Sequence, residues 1–570
     1  MSPSVVETYR EIVASLTAAG GPFEMETRLL CGRAVRAFRQ APRSLEDHFA
    51  EAAEAFPDEV LLVQEGREHT YGQVFRLARR LAGSLQDDFG VRAGDRVGVV
   101  MRNRLEYFVA LFAAARIGAV AVLFNGRGAP AELRTATEDV PCTVIVADDA
   151  RAARLRDGGC RIPLVVTCDP GAVSPEGAAD FAELIAAGRR EADAIPAEFE
   201  DPAWILFTSG TSGRAKGAVL TQANVCNMLK NLDLLRASGL EYTARKHGVP
   251  VAVLLQHAPP MSVFLVYPMF HVSGLTAMAS ALMSGGRMVA VRRWNSAEAA
   301  RLIAEHKVTS LSGPPLVVQD LLELPGASAL LATVTQAGVG GQATPPNLPQ
   351  RMREVMPQAG QGGGWGMTEA VGGVCSASGD GADVHPVSAG WTSPLMDVRT
   401  VDPLGKVLPQ GETGELQLRG VLIMQGYFGR PEATAEAFDG DWYRTGDVGR
   451  VDADGFIYIV DRLTDMVISG GENIYCAEVE NALVASDQFA EVAMFGVPDA
   501  RLGERTVAAV TLREGTDLTA EDIKALAAST LADYKVPTEI VFDLGPFPRT
   551  ATGKIEKRKL RSAYLAALCK

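Results

Sequence analysis

Paired cysteines are missing from this chain. Its eight cysteines, Cys31, Cys142, Cys160, Cys168, Cys226, Cys375, Cys476 and Cys569, are scattered, with no C-x-x-C pair. That excludes a zinc ribbon and a compact disulfide framework, and it fits reduced thiols in the cytosol. A long apolar run is missing too. The best stretch, over 109–124, is broken by Arg116 and Gly118. It falls short of the roughly 18 clean residues of a membrane span and reads as a buried helix followed by a strand. Glu7, Glu11, Glu24 and Glu26 stand where a secretory signal would be basic and then apolar. Leu568, Cys569 and Lys570 form neither a prenylation box nor a peroxisomal address. Basic charge is in deficit: 55 Lys and Arg face 69 Asp and Glu, for a net charge of −14. A nucleic-acid binder would need the opposite field. An anionic small ligand stays compatible, because single loops can be positive inside an acidic protein. No repeat with a period of about 20–50 residues is present. The expectation is a cytoplasmic protein without a transmembrane segment and without a nucleic-acid partner.

What is present is length and alternation. At 570 residues, with 47% hydrophobic and 22% charged side chains, the chain has the make-up of a soluble enzyme. It is too long for a single core and suggests roughly three or four domains. Residues 1–43 read as an amphipathic helical extension. From Ser44 helices and strands alternate: a helix over 44–56 capped by Ser44, a strand over 59–63, and a helix over 71–85 capped by Thr70. A strand over 96–101, a helix over 106–117, and strands over 120–124 and 143–147 follow. Strand-like runs resume at 261–269, 288–291, 309–311 and 331–336. This is an α/β pattern with parallel or mixed sheets. Near Asp397 it changes to short alternating strands between Gly, Pro and Asp turns, a small β subdomain over about 397–461. After Arg462 a compact α+β pattern follows, with a helix near Ala477, strands over 492–497 and 506–512, and a helix over 520–528. The boundary is placed at 461–464. The insertion 236–260 carries no motif.

Chemistry concentrates where an apolar strand empties into a loop of small and hydroxyl residues. After Trp204, Ile205, Leu206 and Phe207 come Thr208, Ser209, Gly210, Thr211, Ser212 and Gly213, then Lys216. Glycines let the backbone approach closely, successive N–H groups bind oxygens, and a lysine adds charge, so such a loop can wrap a polyphosphate. It is not the P-loop. Counting from Gly210, Ala215 stands at the second glycine, and Lys216 is followed by Gly217 rather than Ser or Thr. The segment from Gly338 to Ala343 fits a dinucleotide pattern by letter. It is rejected, because Thr344, Pro345 and Pro346 follow at once and a glycine run, Gly362 to Gly364, replaces the expected acidic residue.

Four further motifs follow in order. Gly364, Trp365, Gly366, Met367, Thr368 and Glu369 form the first. Tyr443, Arg444, Thr445, Gly446 and Asp447 form the second. Asp461 and Arg462 precede Ser469, Gly470, Gly471, Glu472, Asn473 and Ile474. Pro548 to Lys554 form the last. Each has a plain alternative when taken alone: a helix cap for Thr368 and Glu369, a turn aspartate for Asp447, an ion pair with Asp461 or Asp465 for Arg462, and a solvated basic patch for Lys554 among Lys557, Arg558 and Lys559.

Taken together and in this order, the motifs resemble those of the acyl-adenylate-forming superfamily, in particular its acyl-CoA synthetases. The resemblance runs from about residue 44 to 560. It implies a large N-terminal adenylation domain (44–461) of mixed sheets flanked by helices with a small β subdomain, then a small mobile α+β domain (464–570). It also implies an ATP-dependent reaction. A carboxylate attacks the α-phosphorus of ATP, pyrophosphate leaves, and the acyl-AMP is passed to the thiol of coenzyme A. The resemblance gives Thr208 to Gly213 and Lys216 to the β- and γ-phosphates, Thr368 to the α-phosphate, and Glu369 to Mg²⁺. Asp447 meets the ribose and Arg462 the ribose or the phosphates, Trp365 with Gly364 and Gly366 lies beside adenine, and Gly341 and Gln342 line the adenine and acyl pockets. Ser469, Gly470 and Gly471 guide the pantetheine thiol, and Lys554 is the cation for adenylation. His271, in the segment from Pro268 to Gly274, stands near the acyl group or serves structure. Three positions depart from the family habit: Gln342 for alanine, Trp365 for tyrosine, and Thr464 at the usual Asp or Lys hinge.

The expected partners are a small carboxylic acid, ATP and CoA, with a homodimer left open. The glycine cluster around 338–341, 362–364 and 372–373 suggests room for a medium or long fatty acid, or a bulky aryl or alicyclic acid. An adenylate-only or amide-forming ligase and a silent nucleotide sensor remain as alternatives. Intact Lys216, Glu369, Asp447, Arg462 and Lys554 weigh against the sensor.

Overall fold

Apolar runs without alternation become the inner strands of two sheets. A strand buried on both faces needs helices on both sides, which favours parallel layers. The computed structural model describes residues 4–208, 214–341, 344–345, 347–385, 387–470, 472–542, 544–550 and 553–568. Among them, Arg96–Val100, Val120–Leu123, Val144–Asp148 and Leu164–Thr167 pair in parallel, and Val144–Asp148 is buried at every position. Pro202–Thr208 joins in parallel beside Val120–Leu123, and Lys216–Thr221 returns antiparallel to it. Gly426–Tyr427 forms one edge of this eight-stranded sheet.

The second sheet has a parallel half: Val60–Gln64, Arg287–Ala290, Ser262–Leu265, Ser310–Gly313, Gln336–Val339 and Gly360–Trp365. The strand expected over 331–336 begins only at Gln336, because Leu331 and Val334 are buried in the turn that precedes it. Beyond Gly360–Trp365 the pairing turns antiparallel, through Cys375–Ser378, Gly390–Thr392, Phe456–Arg462, Trp442–Val451, Gly414–Gly420 and Met396–Val401. The short strands near 397–461 therefore form, but Gly390–Thr392 hydrogen-bonds them into the same 14-stranded sheet. One apolar cluster joins side chains of both sheets, among them Val99, Leu123, Leu62 and Leu265. The helix Leu105–Arg116 is buried from Tyr107 through Ala114.

Ser44 with Asp47 and Thr70 with Gln73 start their helices with capping boxes, as the sequence suggests, and Thr221 with Asn224 does the same for the long helix. The helix behind Thr70 runs to Phe89, where Gly90 takes the left-handed conformation that ends it. Helix Gln222–His247 has 26 residues, so the insertion is largely its second half plus the short helix Val251–His257.

Residues 1–43 are not a helical extension throughout. Helix Val5–Thr17 is followed by a β-hairpin, Met25–Leu30 with Arg33–Phe38. The unit straps other elements together. Tyr9 stacks on Tyr242 of the long helix, with ring centroids 4.4 Å apart, and meets Trp391 at 5.3 Å. The Phe38 N–H donates to Asn227 Oδ1 at 2.8 Å, and Arg36 pairs with Asp397 at 2.8 Å.

The C-terminal part holds a sheet of its own: Val467–Ser469, Glu472–Ile474, Phe489–Asp499, Gly503–Leu512 and Glu539–Phe542. Helices Cys476–Val484 and Ala520–Ala528 contribute buried side chains to the same cluster as that sheet. No helix among the described residues is long and apolar enough to cross a membrane.

Candidate active site

Parallel pairing of Leu206 with Leu123 places two loops at one end of the first sheet. The first begins at Thr208, half-buried, whose Oγ1 has no hydrogen-bond partner among the described residues. Ser209, Gly210, Thr211, Ser212 and Gly213 lie outside the described residues, as do Gln342 and Gly471. Arg127 is on the second loop. Lys216 opens the return strand, and its ammonium lies 4.8 Å from the ring centroid of Tyr427, a cation–π contact. Arg214, just after the phosphate loop, pairs with Asp139, which also takes Arg430 at 2.8 Å.

Thr368 and Glu369 lie within one turn of 3₁₀ helix, Thr368–Ala370. The cap position belongs to Met367, which makes no side-chain cap bond, so the two polar residues are not helix caps. Glu369 is held from two sides. Its backbone carbonyl accepts the Met424 N–H at 2.8 Å, and its Oε1 accepts the Tyr427 hydroxyl at 2.9 Å. Burial, then the Glu369 carboxylate, pushes the Tyr427 and Tyr443 phenols well up, so both remain protonated donors. The approach to this turn requires glycine. A Cβ on Gly366 would lie 2.0 Å from the Gly372 carbonyl oxygen, and one on Gly364 would lie 2.7 Å from that of Cys375.

Asp447 is not a turn aspartate. It sits in strand Trp442–Val451, opposite Arg462 in the antiparallel register, and is 2% exposed. The Trp365 indole N–H donates to its Oδ2 at 2.8 Å, and Arg462 Nε is 2.6 Å from its Oδ1. Burial raises the Asp447 pKa, while Arg462, the indole hydrogen bond and Lys554 pull it back. The alternative ion pair of Arg462 with Asp461 or Asp465 does not form among the described residues; the strand register faces Arg462 toward Asp447 instead.

Lys554 comes to the same place from the C-terminal part. Its loop is a tight hairpin: the Thr550 N–H donates to the Lys554 carbonyl at 2.8 Å, and the Lys554 N–H donates to Thr550 Oγ1 at 3.1 Å. The side chain keeps contact with solvent. Its pKa is lowered by desolvation and by Arg462, against the pull of Asp447. His271 faces the same charges. It precedes helix Val272–Leu282, and its Nε2 is buried with no partner among the described residues. Burial first, then Arg127 and Lys554, lowers its pKa to about 4, so the imidazole is neutral at pH 7. Asn103 holds the preceding segment, accepting the Met269 N–H at 3.0 Å and donating to the Tyr267 carbonyl at 2.8 Å.

Residues 49–428 match the AMP-binding enzyme family, and 478–554 match the AMP-binding enzyme C-terminal domain. The chain belongs to the AMP-binding enzyme family. It is similar to a feruloyl-CoA synthase of an Amycolatopsis species, at 33% identity over 509 residues, 88% of this chain and 94% of that one. A long-chain-fatty-acid–CoA ligase of Mycobacterium tuberculosis is 31% identical over 504 residues, again 88% and 94%. Among solved structures, the o-succinylbenzoate–CoA synthetase of Bacillus subtilis with its acyl-adenylate intermediate superposes at TM-score 0.74. It is 25% identical, covering 90% of this chain and 97% of that one.

In this AMP-binding enzyme the structure gathers Thr208, Lys216, Trp365, Thr368, Glu369, Asp447, Arg462, Lys554 and His271 on connected elements. It does not bring Ser469 and Gly470 to them. Ser469 pairs with Glu472 and Gly503, and the Gly470 N–H donates to the Leu502 carbonyl, all within the C-terminal part. Gly341 takes the left-handed conformation (φ +80°), which suits a loop glycine. The neighbouring Gly340 carbonyl accepts the Tyr267 hydroxyl at 3.2 Å. The glycine cluster changes meaning. Gly362, Gly364 and Gly372 are pressed against Ala377, Cys375 and Val272, so they serve close packing, and Gly363 is the most open of the glycine run 362–364. Nothing local in the sequence marks Tyr427, Asp139 and Arg127, and Tyr443 is marked only as part of its motif, without a role.

Proposed function

We propose that this AMP-forming acid–CoA ligase carries out adenylation with Lys554, Thr368 and Glu369 around a nucleotide whose ribose is held by Asp447. The observation that carries the reading is the convergence of Lys554 on the Asp447–Arg462 pair and on His271. Two strands and one helix start of the N-terminal part and one loop of the C-terminal part supply that cluster. A bound carboxylate and a triphosphate repel each other, so catalysis needs positioning and fixed positive charge near the α-phosphate. Lys554 supplies the charge, and Thr208 with the loop after it and Lys216 cradles the outer phosphates. The neutral His271 ring packs against the acyl-adenylate without adding charge. Trp365, tied through its N–H to Asp447, presents its face beside adenine.

Mg²⁺ fits the donor set. It binds through one or two carboxylates and otherwise uses substrate phosphates and water. Among the described residues no cluster of three or more His, Cys, Asp or Glu stands ready for a metal. Glu369 offers one carboxylate, aimed by Tyr427. When bound, the ion neutralises charge on the phosphates. Glu369→Gln is expected to lower pyrophosphate release about 10²-fold and to raise the Mg²⁺ concentration required. A Mg²⁺ titration of pyrophosphate release checks this, and an unchanged midpoint would remove Glu369 from the role.

The influence of Asp447 on Lys554, and of Lys554 on His271, suits the adenylation step. Thioester formation then requires the C-terminal unit, from about 464, to turn and present Ser469, Gly470 and Gly471 to the pantetheine thiol. The acid is larger than acetate, either a medium or long fatty acid or an aryl or alicyclic acid. The named relatives handle acids of this kind, and the support is theirs rather than the glycine cluster's. Free cysteines among the described residues support a cytoplasmic location.

The test is pyrophosphate release with acetate, dodecanoate, ferulate and a steroid carboxylate, each with and without CoA, with products read by mass spectrometry. An acyl-CoA product from one of the larger acids supports the reading. Acyl-AMP that CoA never converts to thioester would contradict the second half of it.

A further inference from the structure

The C-terminal core contains an ion pair that the motifs do not account for. Lys557 and Glu480 lie 2.8 Å apart, Nζ to Oε1, with side chains only 16% and 18% exposed. Glu480 Oε1 also accepts the Met494 N–H at 2.6 Å. Buried ion pairs seldom stabilise a fold more than apolar side chains of the same volume would, so their retention asks for another reason. Position supplies one. Lys557 comes three residues after Lys554 and opens the last helix, Lys557–Leu568. Glu480 lies on helix Cys476–Val484, the first helix after the inter-domain segment.

That helix is fastened to the segment at its start. Asp461 Oδ2 accepts the Ala477 N–H at 3.1 Å, and the Cys476 thiol donates to the Asp465 carbonyl at 2.9 Å. The Lys557 ammonium also acts on Asp461: burial raises the Asp461 carboxyl's pKa, and Lys557 is the first group to pull it down. Asp461 is the next-to-last residue of strand Phe456–Arg462, beside the Arg462 that pairs with Asp447. The Lys554 hairpin is tied on its other limb as well. Arg549 pairs with Glu491 and donates to the Gly553 carbonyl at 2.6 Å, while the Glu556 N–H donates to the Pro548 carbonyl at 2.7 Å. Met494 and Glu491 belong to one strand, Phe489–Asp499. The hairpin base is thus clamped between that strand and the first helix.

We propose that the Glu480–Lys557 pair is a positioning element that aims the Lys554 hairpin at the α-phosphate site. The direction of an ion pair with a shared backbone donor fixes the hairpin's angle, which an apolar contact of equal volume does not. The inference rests on Lys554 as the adenylation cation.

A pair that acts only through Lys554 affects only the step that uses Lys554. Lys557→Met and Glu480→Gln are therefore expected to lower acyl-AMP formation about tenfold or more, while thioester formation from supplied acyl-AMP stays within about twofold. Lys557→Arg, which keeps the charge, should recover most of the loss. The probes are ferulate and dodecanoate, with ferulate-AMP and dodecanoyl-AMP for the second step. Because a single substitution leaves a buried charge unpaired, the double variant Lys557→Met/Glu480→Met is measured alongside, with its melting temperature. It is expected to fold and to keep the same split between the half-reactions. A folded double variant that adenylates at the normal rate overturns the proposal, as does a parallel loss of both half-reactions. Lys554→Ala serves as the reference. If it shows the split and the pair variants do not, the pair has no positioning role and the reading of Lys554 stands. Absence of the split in Lys554→Ala overturns that reading and, with it, this inference.

Discussion

Lys554→Met is expected to cut acyl-AMP formation by about 10²–10³-fold while leaving thioester formation from supplied acyl-AMP near its normal rate. The size follows from electrostatics. A cation prepared at the point where charge develops does more than one recruited from solvent. Lys554 already sits among Arg462, Asp447 and His271 before substrate arrives. Methionine keeps most of the side-chain volume and removes the charge, so the loss reports charge rather than packing. Single-turnover measurements of the two half-reactions decide the matter, and equal losses in both would contradict the assignment. The pH dependence adds a second check. The Lys554 pKa is lowered from lysine's ordinary value, so the ammonium is lost at lower pH than a free lysine's would be. Adenylation should therefore decline on the alkaline side before lysine's usual range is reached, and this limb should disappear from the residual activity of Lys554→Met.

Asp447→Ala is expected to lower kcat/KM for ATP by about 10²-fold or more, with the larger share in KM. The carboxylate is buried, takes the Trp365 indole hydrogen bond, and pairs with Arg462. Its removal takes away the proposed acceptor for the ribose hydroxyls. It also leaves the indole N–H without its partner and removes the carboxylate that offsets the mutual effect of Arg462 and Lys554. Calorimetric ATP titration tests this directly, and an unchanged affinity would move the ribose elsewhere. Burial raises the Asp447 pKa, so the carboxylate is protonated at a higher pH than an ordinary aspartate of about 3.9. ATP binding should then weaken as pH falls toward that raised pKa. Stability runs the other way. The folded state holds the proton more tightly than the unfolded chain, so this residue's contribution improves as pH falls through the raised pKa.

Much of the site was legible because its parts are local. A strand followed by Thr208 and its glycine- and hydroxyl-rich loop is contiguous, and so are Trp365 to Glu369, Thr445 to Asp447 and Thr550 to Lys554. Each segment carries its own backbone demand, as Gly366 shows, where a side chain would collide with Gly372. The helix starts were legible for the same reason, since a cap and its partner stand three residues apart, as in Ser44 with Asp47. The glycine cluster illustrates the converse. Composition suggested an open pocket, but whether a missing side chain leaves space or admits a neighbouring strand depends on what lies across from it. Residues 1–43 were misread in part, because an amphipathic pattern does not say that Met25–Leu30 will find Arg33–Phe38.

The sequence by itself determined the α/β class, the order of the motifs, and which local segments carry the candidate charged side chains. These are properties of short segments, set by steric and hydrogen-bonding demands that neighbouring residues satisfy. Only the tertiary structure decided that Arg462 faces Asp447 rather than Asp461, that Tyr427 aims Glu369, and that Glu480 holds Lys557. Glu369 and Tyr427 are 58 positions apart. Which distant groups meet is settled by strand register and by the closing of two sheets on one core, and neither is written in any single stretch of chain.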